Sequence, residues 1–271
     1  MPAMPPEPQI LALDFDGVLC DGLREYFQTS WRAYQQIWPT VSPEAIDLTV
    51  WENRFGPLRA VIETGWEMPL LLRAIATGAT DAEILEDWPG VRQGLVMAEA
   101  LDPKVLARTL DGVRDAWIAE DLDSWLGLHR FYPGTAARLQ ALLGAAGVAG
   151  QPQPYIVTTK EGRFARQLLA REGLEFASDR IIGKEIRQPK PQTLEQIIAT
   201  AGVEPAQVWF VEDRLKTLQL TAQTPTLDGI GLFLADWGYN TARDRAATVA
   251  PIRLLNLPTF ERDFSDWLEA A

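Results

Sequence analysis

The chain has 271 residues, a formal net charge of −12, 47% hydrophobic residues and one cysteine. That charge opposes binding to nucleic acid or to an anionic membrane, since both need a cationic surface. A lone cysteine allows no disulfide within the chain, and no apolar run reaches membrane-spanning length.

The length accommodates one large α/β domain plus an insertion. Met1 to Gln9 are Pro-rich and lack both the basic and the apolar regions of a secretory leader, so the expectation is a cytoplasmic or organelle-stromal protein. Next comes the apolar run Ile10-Leu11-Ala12-Leu13, which meets Asp14-Phe15-Asp16-Gly17 and reads as a buried strand delivering two carboxylates to its C-terminal end. Open α/β sheets bind their ligands at that end. Gly17 lets the chain turn, so that Asp14 and Asp16 can gather around one reacting centre. Such a pair suits covalent phosphoryl transfer: one carboxylate attacks phosphorus, the other handles the leaving-group proton, and Mg²⁺ neutralises charge.

From Leu23 the apolar positions Tyr26, Phe27, Trp31, Tyr34, Ile37 and Trp38 follow at helical spacing. Further helical patterns run through Leu58, Val61 and Ile62 and through Leu71, Leu72 and Ile75. Thr80-x-x-Glu83 is a capping box, and Asp102-Pro103 opens a helix carrying Leu106, Leu110, Val113 and Trp117. No alternating strand pattern interrupts this stretch. Roughly 140 residues separate Asp14 from Thr158, far more than one crossover between parallel strands needs, so an inserted helical domain is expected there. Phe131-Tyr132-Pro133-Gly134 marks the return, before a helix bearing Ala136, Leu139, Leu142 and Leu143.

Pro154-Tyr155-Ile156-Val157-Thr158-Thr159-Lys160 is a second apolar strand ending in hydroxyls that can donate to a phosphate oxygen. Lys190 sits in a Pro-bracketed turn ahead of the helical pattern Leu194, Ile197, Ile198, Ala201. Val208-Trp209-Phe210-Val211-Glu212-Asp213 is a third strand, with two acids at its tip. Gly231 to Ala235 reads as another, Asp236-Trp237-Gly238-Tyr239 as its terminal loop, and Phe260 to Leu268 as a closing short helix.

In their order, these strand-end groups resemble the four motifs of the haloacid dehalogenase superfamily, and specifically its phosphoglycolate phosphatase and β-phosphoglucomutase-like members. The resemblance spans Ile10 to about Gly238. It implies a Rossmann-like, doubly wound parallel α/β core formed by residues 1–21 and 129–271, with an all-helical cap domain at 22–128. It implies Asp14 as nucleophile, Asp16 as general acid/base, Thr158 and Lys190 as the grip on the phosphoryl group, and Asp213 as a Mg²⁺ ligand. Glu212, adjacent to Asp213, joins Asp14 and Asp16 in the expected metal site. Members that displace halide resemble Asp-x-Tyr at the first motif, so Asp16 favours phosphate esters. No second acid follows Asp213 in Arg214-Leu215-Lys216-Thr217-Leu218, a departure from many members that matches the adjacent Glu-Asp variant.

The expected activity is therefore Mg²⁺-dependent hydrolysis of a small or medium phosphomonoester through an aspartyl-phosphate. A sugar phosphomutase and a catalytically weak binding module are the alternatives. Backbone N–H groups of Phe15, Gly17 and Thr159 are expected as further phosphate donors. Arg54 and Arg59 are expected as substrate contacts, set against the blander reading of Arg54, Arg59, Glu63 and Glu67 as a solvated helix face. Seven of the ten tryptophans lie in the insert, where helical spacing favours core packing over a substrate platform. His129, the only histidine, reads as structural, Cys20 as a small buried apolar group, and Lys160, Lys184 and Lys216 as solvated lysines.

Overall fold

The computed structural model describes residues 7–39, 47–145, 147–148 and 150–269, so residues 1–6 of the Pro-rich opening lie outside it. The chain divides into two compact units, Met1–Asp21 with Arg130–Ala271, and Gly22–His129. Among the described residues no helix is long and apolar enough to cross a membrane.

The discontinuous unit is built on strands β1 (Ile10–Leu13), β2 (Cys20–Asp21), β3 (Arg130–Phe131), β4 (Gln153–Val157), β5 (Ile181–Ile182), β6 (Val208–Glu212), β7 (Gly231–Ala235) and β8 (Ile252–Leu255). Six of them form one sheet in the order β5-β4-β1-β6-β7-β8, with every neighbouring pair parallel. Every residue of β1, β6 and β7 is buried, which is why these segments read as continuous apolar runs. Phe210, Leu232 and Leu234 join Leu194 and Ile197 of the helix Lys190–Ala201 and Leu215 and Leu218 of the helix Leu215–Ala222 in one core cluster. This is the expected α/β sheet with flanking helices.

Chain order places the site. From central β1 the path moves out to β4 and β5, then crosses back to β6, β7 and β8 on the other side. The direction of winding reverses around β1, and the crevice beyond the C-terminal ends of β1, β4 and β6 is where such sheets take ligands.

At the C-terminus the single expected helix is two, Leu257–Phe260 and Phe264–Glu269. The Asn256 side chain accepts from Thr259 N at 2.8 Å and caps the first of them. Trp267 of the second packs 5.3 Å from Phe233 and 5.8 Å from Trp209, closing an aromatic cluster over β6 and β7. Strands β5 and β8 had no counterpart in the sequence reading, because β5 has only two residues and β8 is interrupted by Arg253 and buried only at its two ends.

The other unit is helical, with helices Leu23–Ile37, Leu48–Leu58, Glu67–Ala76, Asp81–Ala98, Pro103–Glu120 and Leu122–Leu126. The Thr80–Glu83 capping box forms, and Asp102 caps the helix that begins at Pro103. Helix Asp81–Ala98 is broken at Asp87, whose side chain accepts from Gly90 N at 3.0 Å across Pro89. Trp38, Trp88, Trp117 and Trp125 are buried, as helical packing requires.

Two acids are buried among these helices. Glu25 accepts from Thr29 Oγ1 at 2.7 Å, Arg114 Nε at 2.8 Å and Trp125 Nε1 at 3.0 Å, which ties three helices together. Glu67, read from sequence as a solvated face, is buried and accepts from Trp88 Nε1 at 2.9 Å and Arg92 at 2.6 Å. Removing a buried acid orphans every donor that converges on it. Glu25→Ala is therefore expected to lower the melting temperature of the helical unit by on the order of 10 °C, read by calorimetry.

Candidate active site

Asp14 leaves the end of β1 with its backbone N–H donated to Val211 O at 2.9 Å. The chain then folds over itself: Leu19 N and Cys20 N both donate to Phe15 O, and Gly17 N donates to Cys20 O. Gly17 has φ +84°, a left-handed conformation that a side chain would strain. The turn leaves Asp14 only 6% exposed beside the tip of β6.

Three carboxylates, those of Asp14, Glu212 and Asp213, bring ligand oxygens within 4.8 Å of one another, all buried. Lys190 answers them, its Nζ 2.7 Å from Asp14 Oδ2 and 2.6 Å from Glu212 Oε2. It is the first residue of its helix, where a cation is disfavoured by the helix dipole, and the two carboxylates compensate. Glu212 is engaged on both oxygens, because Oε1 accepts from Asp213 N and Arg214 N while Oε2 takes Lys190. Asp213 Oδ2 accepts from Tyr239 N at 2.7 Å. Asn240 Nδ2 donates to Asp213 O at 3.0 Å and to Ala235 O at 2.7 Å, locking the loop after β7 against the tip of β6.

Burial and then the nearby Glu212 push the Asp14 carboxyl up to about 7, with Lys190 pulling the other way. Burial, aided by neighbouring acids, also raises Glu212 and Asp213. Burial alone would lower Lys190, but Asp14 and Glu212 outweigh it and hold the ammonium charged. One lysine against three clustered carboxylates leaves the pocket short of positive charge. The donor set is all hard oxygen, which fits Mg²⁺.

Asp16 stands apart from that cluster. Its carboxylate pairs with Lys160 Nζ at 3.2 Å, and Lys160, expected to be solvated, has a side chain only 8% exposed. Thr158 is buried at the end of β4 and its Oγ1 accepts from Lys160 N at 3.1 Å, which leaves the hydroxyl proton for another acceptor. Thr159 follows it, exposed. A cavity of about 370 Å³ is lined by Thr158, Thr159, Lys184, Arg187 and Lys190 among others.

Two expected backbone donors already have acceptors, Phe15 N on Asp14 Oδ1 at 2.7 Å and Gly17 N on Cys20 O. Arg54 is held inside the helical unit by Asp81 at 2.6 Å and Ala79 O at 2.8 Å, and Arg59 by Ile62 O at 3.2 Å and the face of Tyr26. His129 packs on Trp125 with Nδ1 3.2 Å from Trp125 O, a structural setting. Cys20 is buried, and burial raises its thiol well out of the reactive range.

Sequence reasoning missed Lys160, Tyr239 and Asn240. Lys160 reads from sequence as solvated, and its pairing, like the roles of Tyr239 and Asn240, depends on loop conformations that have no local pattern.

A family model described as haloacid dehalogenase-like hydrolase matches residues 8–219. Among solved structures, a predicted phosphatase from Clostridium acetobutylicum aligns with TM-score 0.55 at 15% identity over 92% of this chain and 94% of its own. A predicted phosphoglycolate phosphatase from Haemophilus somnus 129PT aligns with TM-score 0.55 at 16% identity over 98% and 99%. A HAD family hydrolase from Deinococcus radiodurans R1 with bound phosphate and sodium aligns with TM-score 0.50 at 18% identity over 93% and 92%. At these identities the likeness is one of fold. A search of the curated proteins returned no match.

Proposed function

Since the chain belongs to the haloacid dehalogenase-like hydrolase family, we propose that it hydrolyses a small phosphomonoester through a phosphoryl group carried on Asp14. The observation that carries this reading is the Asp14–Lys190–Glu212 arrangement, in which a buried carboxylate at a strand end is fixed by an ammonium that is itself fixed by a second acid. A carboxylate so restrained has few conformers to lose on reaching phosphorus.

In the proposed reaction an oxygen of Asp14 attacks phosphorus and the bond to the leaving-group oxygen breaks. Asp16 gives that oxygen a proton, so the alcohol departs neutral. Asp16, now a carboxylate, takes a proton from water as the water oxygen attacks phosphorus, and the P–O bond to Asp14 breaks to release inorganic phosphate, which restores the Asp14 carboxylate and the protonated Asp16 carboxyl that began the cycle. Thr158 donates its hydroxyl proton to one phosphoryl oxygen, and Lys190 lies beside Asp14 to stabilise the charge on another. Asp14 and Asp213 would hold Mg²⁺, with Glu212 completing the acidic cluster. Held there, Mg²⁺ would supply positive charge to the phosphoryl oxygens and favour the ionised form of Asp14. The helical unit acts as the cap that admits and shields the substrate.

The test is release of inorganic phosphate from a panel of phosphomonoesters with Mg²⁺, with and without EDTA. Turnover that EDTA abolishes and Mg²⁺ restores is the expected result. An isomerised sugar phosphate with no free phosphate would overturn the reading in favour of a mutase.

A further inference from the structure

The mechanism above leaves Lys160, whose side chain is 8% exposed, without a task. Lys160 lies two residues beyond Thr158, and its backbone is held on both sides, since its N–H donates to Thr158 Oγ1 at 3.1 Å and its carbonyl accepts from Lys184 N at 2.9 Å. Its ammonium is thereby delivered to Asp16 at 3.2 Å. Asp16 Oδ1 is out of contact with water and has no aligned hydrogen-bond donor, so this cation is its charge partner. A short carboxylate at the start of a tight turn has two other places to go. It can swing toward Lys190, whose Nζ is already shared by Asp14 and Glu212, or out to solvent. The pairing with Lys160 disfavours both, and it keeps Asp16 apart from the three-acid cluster that Asp14, Glu212 and Asp213 form.

We propose that Lys160 is a positioning residue that fixes the Asp16 carboxylate where it can transfer a proton to and from the leaving-group side of the phosphoryl centre. The proposal rests on the phosphomonoester reading and deepens it: Lys190 serves the nucleophile, and Lys160 separately serves the acid. It follows that the benefit of Lys160 scales with how badly the departing oxygen needs a proton. A phenolate carrying a nitro group departs without help, whereas an unsubstituted phenolate gains much more from an acid in place.

The experiment compares kcat/KM for p-nitrophenyl phosphate and phenyl phosphate, two esters of nearly equal size, in the parent, Lys160→Met, Lys160→Gln, Lys160→Arg and Asp16→Asn. This ratio covers the steps through transfer of phosphorus to Asp14 and so isolates the protonation of the leaving group. The loss in Lys160→Met and Lys160→Gln is expected to be on the order of 10²-fold on phenyl phosphate and within about threefold on p-nitrophenyl phosphate. Lys160→Arg restores most of the difference, and combining Lys160→Met with Asp16→Asn costs no more than Asp16→Asn alone, because the two residues act as one unit.

Equal proportional losses on both esters, or losses that simply add in the double variant, would show a structural lysine and overturn the proposal while the phosphatase reading stands. A parent protein inert toward both esters would overturn the reading itself, and this proposal with it. Melting curves on each variant separate misfolding from misplacement, and Lys160→Gln serves if the methionine variant is unfolded.

Discussion

On the proposed mechanism Asp14→Asn is expected to abolish phosphate release, with kcat falling by at least about 10⁴-fold, since a carboxamide cannot form the acyl-phosphate. The same substitution makes the metal-free protein more stable at neutral and alkaline pH. The Asp14 carboxyl is raised from its ordinary 3.8 to about 7, chiefly by burial and then by Glu212. In that interval the folded state binds a proton that the unfolded chain has lost. Asp14 thus supports the fold below about pH 4, and that support is lost as pH rises through about 7. Asparagine has no charge to bury. At pH 8 without metal it is expected to exceed the parent by about 2 to 4 kcal/mol, the scale of a shift near three pH units. Urea titrations of both proteins at pH 5 and pH 8 check this; a gap that fails to widen with pH, or that Mg²⁺ leaves unchanged, contradicts it.

Gly17→Ala disables the site through Asp213 rather than Asp14. A Cβ at position 17 would lie 2.1 Å from Asp213 Oδ2 and 2.6 Å from its Cγ, in a backbone with φ +84°. Asp213 has no easy retreat, because the same oxygen accepts the Tyr239 N–H and its carbonyl accepts from Asn240. Gly238 closes the opposite wall: its Cβ would stand 2.3 Å from Asp213 Cβ and 2.4 Å from Gly17 O, so the clash there is with main chain. Either alanine is expected to weaken Mg²⁺ binding by tenfold or more and to cut kcat/KM by about 10²-fold or more. Backbone strain of about 1–3 kcal/mol adds a fall of several degrees in melting temperature. Isothermal titration with Mg²⁺ beside the phosphate-release assay checks both; an alanine at 17 with parental metal affinity would show that the Asp213 carboxylate is not at the metal.

The centre of the parallel sheet was legible because β1 and β6 are buried on both faces and run into acids at their tips. The run Ile10–Leu13 before Asp14 and Val208–Val211 before Glu212 leave little else for those segments to be. Burial hides all the rest of the strand from water, so a charge at its tip stands out. Lys160 reads as solvated for the reason that makes it informative: nothing in Thr158-Thr159-Lys160 says whether a lysine two residues after a strand turns out to solvent or back to a carboxylate 144 positions earlier, at Asp16. Glu25 and Glu67 were equally opaque. An acid on an amphipathic helix is an ordinary solvated residue until a tryptophan N–H and an arginine from other helices meet it in the core, and those partners lie 89 and 100 residues away for Glu25.

The short antiparallel pair β2–β3 joins Cys20 to Phe131 and Asp21 to Arg130. The chain therefore departs from the sheet-bearing unit and rejoins it at directly opposed residues, like the two feet of a hairpin whose turn has grown into a bundle of helices. Lengthening a turn in this way adds little closure entropy to the unit that carries it, because that cost rises only logarithmically with length. Everything between those two neighbouring bonds can therefore be exchanged as one block, while the strands and the Asp14, Glu212 and Asp213 carboxylates at their tips stay untouched.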